Sequence, residues 1–350
     1  MKTVRIFCLC YISLFFCIPF LFSQVYTQEL PIEDTKLYSI ISKNDTINFI
    51  RVAKNTAQCK PTILFCQGSL PIPLIIIRDN KASFSAFNFD YKKLILKYNI
   101  IIISKPNTPI VADVSTLIDY CYVPDISSPN EFDQQYLDNN YLEKYIERGN
   151  DVIKFLQNQT WVDKEKIILL GHSEGASVAT RLAEQNPFIH ALGYFSGNPD
   201  GRFVQYIREE RLRASKGVIS AEEAQKNIEQ KYEFWKDICR AENENGVLPK
   251  GGDPWFTWKS FSCPNRDILP QLKMPVFITY GTEDSGAIGC DLLPIYFELE
   301  GNYNYKIRAW INCGHNFEPI KSDGSSDYEN MHWQEVVDEF IEWIESFDDI

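Results

Sequence analysis

Gly171-His172-Ser173-Glu174-Gly175 places a serine between small residues, with an apolar run (Lys166 to Leu170) before it and a helix-like run (Ala176 to Gln185) after it. A serine on a sharp strand-to-helix turn is forced outward above a sheet, and the flanking positions must be small because neighbouring backbone passes close. Ser173 is therefore the candidate nucleophile. A serine hydroxyl is a poor nucleophile at neutral pH and needs an adjacent base, usually a histidine itself oriented by a carboxylate. The chemistry implied is acyl transfer.

The chain has four histidines. His172 is inside the turn, where neighbouring side chains diverge, so it does not serve its own serine. His190 precedes a predicted strand at the end away from the nucleophile, and His332 falls in the last predicted helix. His315 alone sits in a loop after the last predicted strand, in Asn312-Cys313-Gly314-His315-Asn316. The orienting acid is expected in another loop at the same edge, Gly281-Thr282-Glu283-Asp284-Ser285-Gly286. Asp284 is preferred, with Glu283 the close competitor and Asp291 a distant one; the alternative is that a carboxylate here caps the following segment instead. The developing oxyanion needs two donors. One is expected at the amide of Glu174, at the positive end of a helix. The other is expected in Gln67-Gly68-Ser69-Leu70-Pro71, at the amide of Ser69, with Gly68 permitting close approach.

These loops need strands to carry them. After an expected flexible stretch to about Thr35, strands are predicted at Ile47–Ala53, Thr62–Cys66, Asn99–Ser104, Lys166–Leu170, Ala191–Phe195, Pro275–Tyr280 and Tyr305–Ile311. Several are continuous apolar runs, the pattern of strands covered on both faces. Helices are predicted at Tyr136–Gln157, Ala176–Gln185 and Tyr328–Phe347, where Trp333, Val336, Val337, Phe340, Ile341 and Ile344 form a core face. This alternation predicts an α/β fold with a mostly parallel sheet. One interval, Asn198–Leu269, breaks it with charged helical sequence (Glu209–Lys216, Ser220–Lys236) and the run Gly251-Gly252-Asp253-Pro254-Trp255-Phe256-Thr257-Trp258. It is read as a cap, residues 200–265, inserted over the sheet's C-terminal edge, with the core in residues 24–199 and 266–350.

The 350 residues are 45% hydrophobic, enough for one large domain with an insertion. A net charge of -12 with no basic stripe argues against a nucleic-acid partner and suits solubility. Residues 1–23 read as an export signal: Lys2 and Arg5 precede the uncharged run Ile6–Phe22, and Ser23 precedes Gln24. The expected location is secreted or periplasmic, without a stable membrane span once the signal is removed; an uncleaved anchor is the alternative. Of ten cysteines, seven lie beyond this segment, an odd number, and none has Cys-x-x-Cys spacing, so no zinc or redox site is expected. Cys290 and Cys313 are expected on loops near the site. Asn44 and Asn158 match the glycosylation pattern.

With the motif, the acid loop and the histidine loop in this order, the chain resembles the α/β-hydrolase superfamily from Ile47 to the C-terminus. The resemblance implies an eight-stranded, mostly parallel sheet, no cofactor, and roles for Ser173 (attack), His315 (proton shuttle) and Asp284 (holding His315). Gln67-Gly68 departs from the His-Gly start common in the family's oxyanion loops, and the serine argues against aspartate-using dehalogenase or epoxide hydrolase relatives. The first functional expectation is hydrolysis of a small-molecule carboxylic ester. The second is a serine peptidase of prolyl-oligopeptidase or aminopeptidase type acting on short peptides, favoured by an acidic pair or arginine beside the pocket. The third is a binding protein on a retired scaffold. If Phe203, Tyr206, Tyr232, Phe234, Trp235, Trp255, Phe256, Trp258 and Phe261 face the serine, the pocket is apolar; otherwise they form the cap's core. Arg202, Arg208, Arg211 and Arg213 read as a solvated helical face.

Overall fold

The computed structural model describes residues 25–43, 45–128, 131–240 and 252–347. The expected export signal, Asn44 and Gly251 lie outside the described residues. The described chain builds a nine-stranded sheet from β1 (Val25–Glu29), β2 (Thr35–Ser42), β3 (Asp45–Val52), β4 (Lys60–Cys66), β5 (Asn99–Ile103), β6 (Val162–His172), β7 (Ala191–Phe195), β8 (Val276–Gly281) and β9 (Tyr305–Trp310). Their order across the sheet is β1-β2-β3-β5-β4-β6-β7-β8-β9. The first three pairings are antiparallel and the remaining five parallel.

The sheet is thus one strand larger than the eight expected. The stretch before Thr35, expected to be flexible, begins instead with β1, which pairs with β2 over Val25↔Ile40 to Glu29↔Lys36. Neither strand announces itself, because β1 is polar and β2 only partly buried. Backbone pairing to a neighbour, which composition does not encode, makes them strands.

Helices cover both faces. On one side lie α2 (Leu142–Gln157), α3 (Glu174–Gln185) and α7 (Ala287–Leu299); on the other lie α1 (Tyr91–Lys97) and α8 (Trp333–Glu345). In β6, Ile167 and Leu169 join the first core, and Ile168 and Leu170 the second. Between the two cores, Ile167–Leu170 must be apolar at every position, which is why that run reads as continuous. The predicted helix 136–157 is broken: a short turn of helix at Gln134–Asp138 ends at Asn139, and α2 begins after Tyr141.

Between β7 and β8 fall α4 (Arg202–Ser215), α5 (Ala221–Arg240) and α6 (Trp255–Phe261). Ser220 Oγ accepts the Glu223 amide at 3.0 Å, the hydroxyl cap expected at the start of α5. These helices are held together by their aromatic residues. The Phe203 ring lies 4.5 Å from Trp235 and 6.2 Å from Phe234, and Trp258 lies 5.1 Å from Tyr206 and 5.8 Å from Phe234. Among the described residues, no helix is long and apolar enough to cross a membrane.

Candidate active site

Ser173 terminates β6 and caps α3 with φ 57° and ψ −125°. This is an unfavourable conformation for a residue with a side chain and stores about 1–3 kcal/mol of strain. The surroundings enforce it. A Cβ on Gly175 would lie 1.9 Å from the Cys66 carbonyl oxygen, and one on Gly171 would lie 2.3 Å from the Gly175 carbonyl oxygen. Only glycine lets the start of α3 press against the end of β4. The Ser173 amide donates to the Phe195 carbonyl at 3.0 Å, tying the turn to β7.

His315 stands in the loop after β9. Its Nε2 accepts the Ser173 hydroxyl at 2.9 Å, and its Nδ1–H donates to Asp284 Oδ2 at 2.8 Å. The Asp284 side chain is 3% exposed, and its Oδ1 accepts the Gly286 amide at 3.0 Å. The carboxylate therefore both caps its own turn and orients the imidazole. The competitors are engaged elsewhere: Glu283 pairs with Lys216 at 2.7 Å, and Asp291 accepts the Tyr280 hydroxyl.

Burial is the largest influence on His315 and would lower its pKa. The hydrogen bond and charge of Asp284, with the charges of Glu318 and Glu209, outweigh it and raise the pKa above its ordinary value. Glu318, 4% exposed, braces the loop by accepting the Asn316 amide at 2.7 Å.

The structure gives His172 a place that sequence reasoning missed. Its Nε2–H donates to the His315 carbonyl at 3.1 Å, and its ring packs 4.8 Å from Trp333. Burial first, then the neighbouring His315, lowers its pKa to about 3, so it remains a neutral donor. His332 is not within the last helix but caps it, stacked 5.3 Å from Trp310.

Of the expected oxyanion donors, Glu174 and Ser69 line the same cavity as Ser173, His315 and Asp284. A Cβ on Gly68 would stand 3.4 Å from Ser173 Cβ, so the Ser69 loop runs alongside Ser173. Gln67 anchors that loop by donating to the Ile103 carbonyl at 2.8 Å.

The cavity has a volume of about 580 Å³ and is lined mostly by polar residues, with Leu212, Phe261 and Ile320 adding apolar surface of about equal extent. Arg202, Gln205 and Glu209 of α4, with Asn198, Glu283 and Glu318, contribute to its wall, and Phe261 is the one insertion aromatic that does. The other insertion aromatics do not line it. Of the four arginines expected to form a solvated face, Arg211 and Arg213 are exposed, while Arg202 and Arg208 are partly buried against partners. Arg202 pairs with Asp253 at 2.6 Å and lies 4.1 Å from the Trp258 ring centroid. Arg208 pairs with Asp200, Arg213 pairs with Glu210 at 3.2 Å, and Arg211 donates to Gln225. Burial raises the Glu209 carboxyl above its ordinary range, with Glu210 and Asp284 adding and Lys231 and Ser285 opposing.

The seven cysteines of the described residues are free thiols. Cys290 lies in α7 rather than on a loop, with its Sγ donating to the Gly197 carbonyl at 3.4 Å.

No family model matches the chain, and no curated protein matches it in sequence. Solved structures do match. A candidate dipeptidyl aminopeptidase IV from Bacteroides ovatus superimposes with a TM-score of 0.51 at 11% identity, over 88% of this chain and 35% of that one. The chain thus spans about a third of that protein's length. Acetyl xylan esterase 1 from a Thermoanaerobacterium species gives 0.48 at 13% identity, over 86% and 84% of the two chains. A candidate dienelactone hydrolase from Klebsiella pneumoniae gives 0.49 at 11% identity, over 89% and 97%.

Proposed function

Because the chain has the α/β-hydrolase fold, we propose that it is a serine hydrolase that cleaves a polar carboxylic ester through an acyl-enzyme. The observation carrying this reading is the unbroken relay from Ser173 Oγ to His315 to Asp284, at 2.9 Å and 2.8 Å. His315 Nε2 takes the Ser173 proton as Oγ bonds to the substrate carbonyl carbon. The resulting oxyanion faces the amides of Glu174 and Ser69. Collapse breaks the bond to the leaving alcohol, which takes the proton from His315. A water, deprotonated by the same nitrogen, then releases the acid and restores Ser173. Asp284 keeps the Nδ1 proton in place and stabilises the imidazolium formed in each half-reaction.

The pocket's polar side chains support a substrate with hydrogen-bonding groups. With Arg202, Gln205, Glu209 and Asn198 on the wall, an acyl or alcohol group bearing hydrogen-bonding atoms fits better than a long hydrocarbon chain.

A second reading, a serine peptidase acting on short peptides, is favoured by Arg202 and Glu209, an arginine and a carboxylate that both line the cavity. Glu209 is a partly buried carboxylate in the cavity whose raised pKa reflects burial, and a substrate ammonium would answer its desolvation. The two readings separate in a single assay of p-nitrophenyl acyl esters beside aminoacyl-p-nitroanilides, with Ser173→Ala as control. Ester turnover that exceeds anilide turnover and disappears in Ser173→Ala supports the esterase. Anilide turnover without ester preference supports the peptidase. Activity surviving in Ser173→Ala removes the serine from the mechanism.

A further inference from the structure

Glu174 places a negative charge where the proposed reaction tolerates it least. It is the first residue of α3, adjacent to Ser173, and its amide is the donor assigned to the oxyanion. Its side chain is 9% exposed and lines the same cavity as the nucleophile. A carboxylate at a helix N-terminus is ordinarily stabilised by the helix dipole. Here the same positive end must serve a transient alkoxide, and a bare carboxylate beside it would oppose that charge.

Lys105, two residues beyond the end of β5, meets this carboxylate. Its side chain is 4% exposed, and Nζ lies 3.1 Å from Glu174 Oε1. Nζ also sits 4.2 Å from the ring centroid of Tyr145, a residue of α2 whose hydroxyl donates to Asn140 Oδ1 at 2.8 Å. The ammonium is thus fixed from two sides. A buried ion pair of this kind is weak evidence for stability, since an apolar pair of similar volume commonly does as well. Its placement at the nucleophile gives the pair a different purpose.

We propose that Lys105 is a positioning residue of the hydrolytic site, which neutralises Glu174 and holds the first turn of α3 so that its amide meets the oxyanion without an opposing carboxylate charge. The proposal rests on the serine-hydrolase reading. It makes Lys105 matter through Glu174 and not through the fold.

The test compares Lys105→Met, Lys105→Arg, Glu174→Gln and the double variant Lys105→Met/Glu174→Gln. The readouts are kcat and KM on a p-nitrophenyl ester, labelling of Ser173 by a fluorophosphonate, and the melting temperature. Lys105→Met is expected to lower kcat about 30-fold, less than the loss of a whole oxyanion donor. KM should stay within about twofold, because the lost interaction belongs to the transition state. The double variant should return to the kcat of Glu174→Gln alone, and Lys105→Arg should retain most of the activity.

A kcat for Lys105→Met within about twofold of wild type would overturn the proposal. So would a double variant that loses the product of the two single effects. If Lys105→Met does not fold, the double variant, which leaves no unpaired buried charge, decides: equality with Glu174→Gln supports the proposal and a further loss overturns it. Wild-type protein that neither turns over ester nor takes up the fluorophosphonate would overturn the hydrolase reading and this one together. Labelled, active wild type with an unaffected Lys105→Met would overturn this one alone.

Discussion

Replacing Asp284 by asparagine tests the relay at its most constrained point. Asp284 Oδ1 accepts the Gly286 amide at 3.0 Å in a buried turn, and Oδ2 accepts His315 Nδ1–H at 2.8 Å. In Asp284→Asn the Gly286 amide still requires an acceptor, so the carboxamide oxygen stays there and its NH2 group faces His315. An NH2 donor against Nδ1 forces the proton to Nε2, the nitrogen that must accept from Ser173. An imidazole held in the wrong tautomer costs about 10⁴-fold in kcat, equivalent to about 5 kcal/mol of transition-state stabilisation. The pH profile carries an independent sign. Catalysis needs neutral His315, and Asp284 raises its pKa. In wild type the acid limb of kcat/KM should therefore lie above the ordinary imidazole value of about 6.5. Without the carboxylate charge, the imidazolium is less favoured and the limb should move to lower pH. The assay is ester hydrolysis from pH 4.5 to 9 on both proteins, with melting temperatures to exclude unfolding. Residual kcat within about tenfold of wild type, or an acid limb displaced upward, would refute the reasoning.

Three further outcomes follow from the geometry. Gly175→Ala drives a Cβ to within 1.9 Å of the Cys66 carbonyl and should cost about 3 kcal/mol or more, read as a fall in denaturation midpoint with loss of Ser173 labelling. His172→Phe keeps the packing against Trp333 but removes the donor to the His315 carbonyl; kcat should drop about tenfold, the worth of one hydrogen bond, and an unchanged kcat would deny that donor a role. Phe203→Ala opens the aromatic cluster between α4, α5 and α6 and should lower stability by about 3–5 kcal/mol in urea denaturation.

Much of the sheet was legible because the central runs of β6, β7 and β8 are buried on both faces and so are largely apolar. β1 and β2 were not, because their strand character comes from backbone pairing to neighbouring strands. The aromatic residues of the insertion show a similar limit: composition marks them as candidates for burial, but Trp235 and Trp258 turn toward Phe203 instead of lining the cavity.

Local chemistry in the sequence determined which serine, imidazole and carboxylate were candidates, since each needs a loop at the end of a strand. It also determined that Gly171 and Gly175, two positions either side of Ser173, had to be small. Only the folded chain decided that Asp284 and not Glu283 meets His315, because adjacent side chains in a turn diverge by an angle that the sequence does not state. Only the fold brought Lys105 to Glu174 and His172 to the His315 carbonyl. Those partners lie 69 and 143 residues apart, and contacts across such separations exist only after the strands have chosen their neighbours.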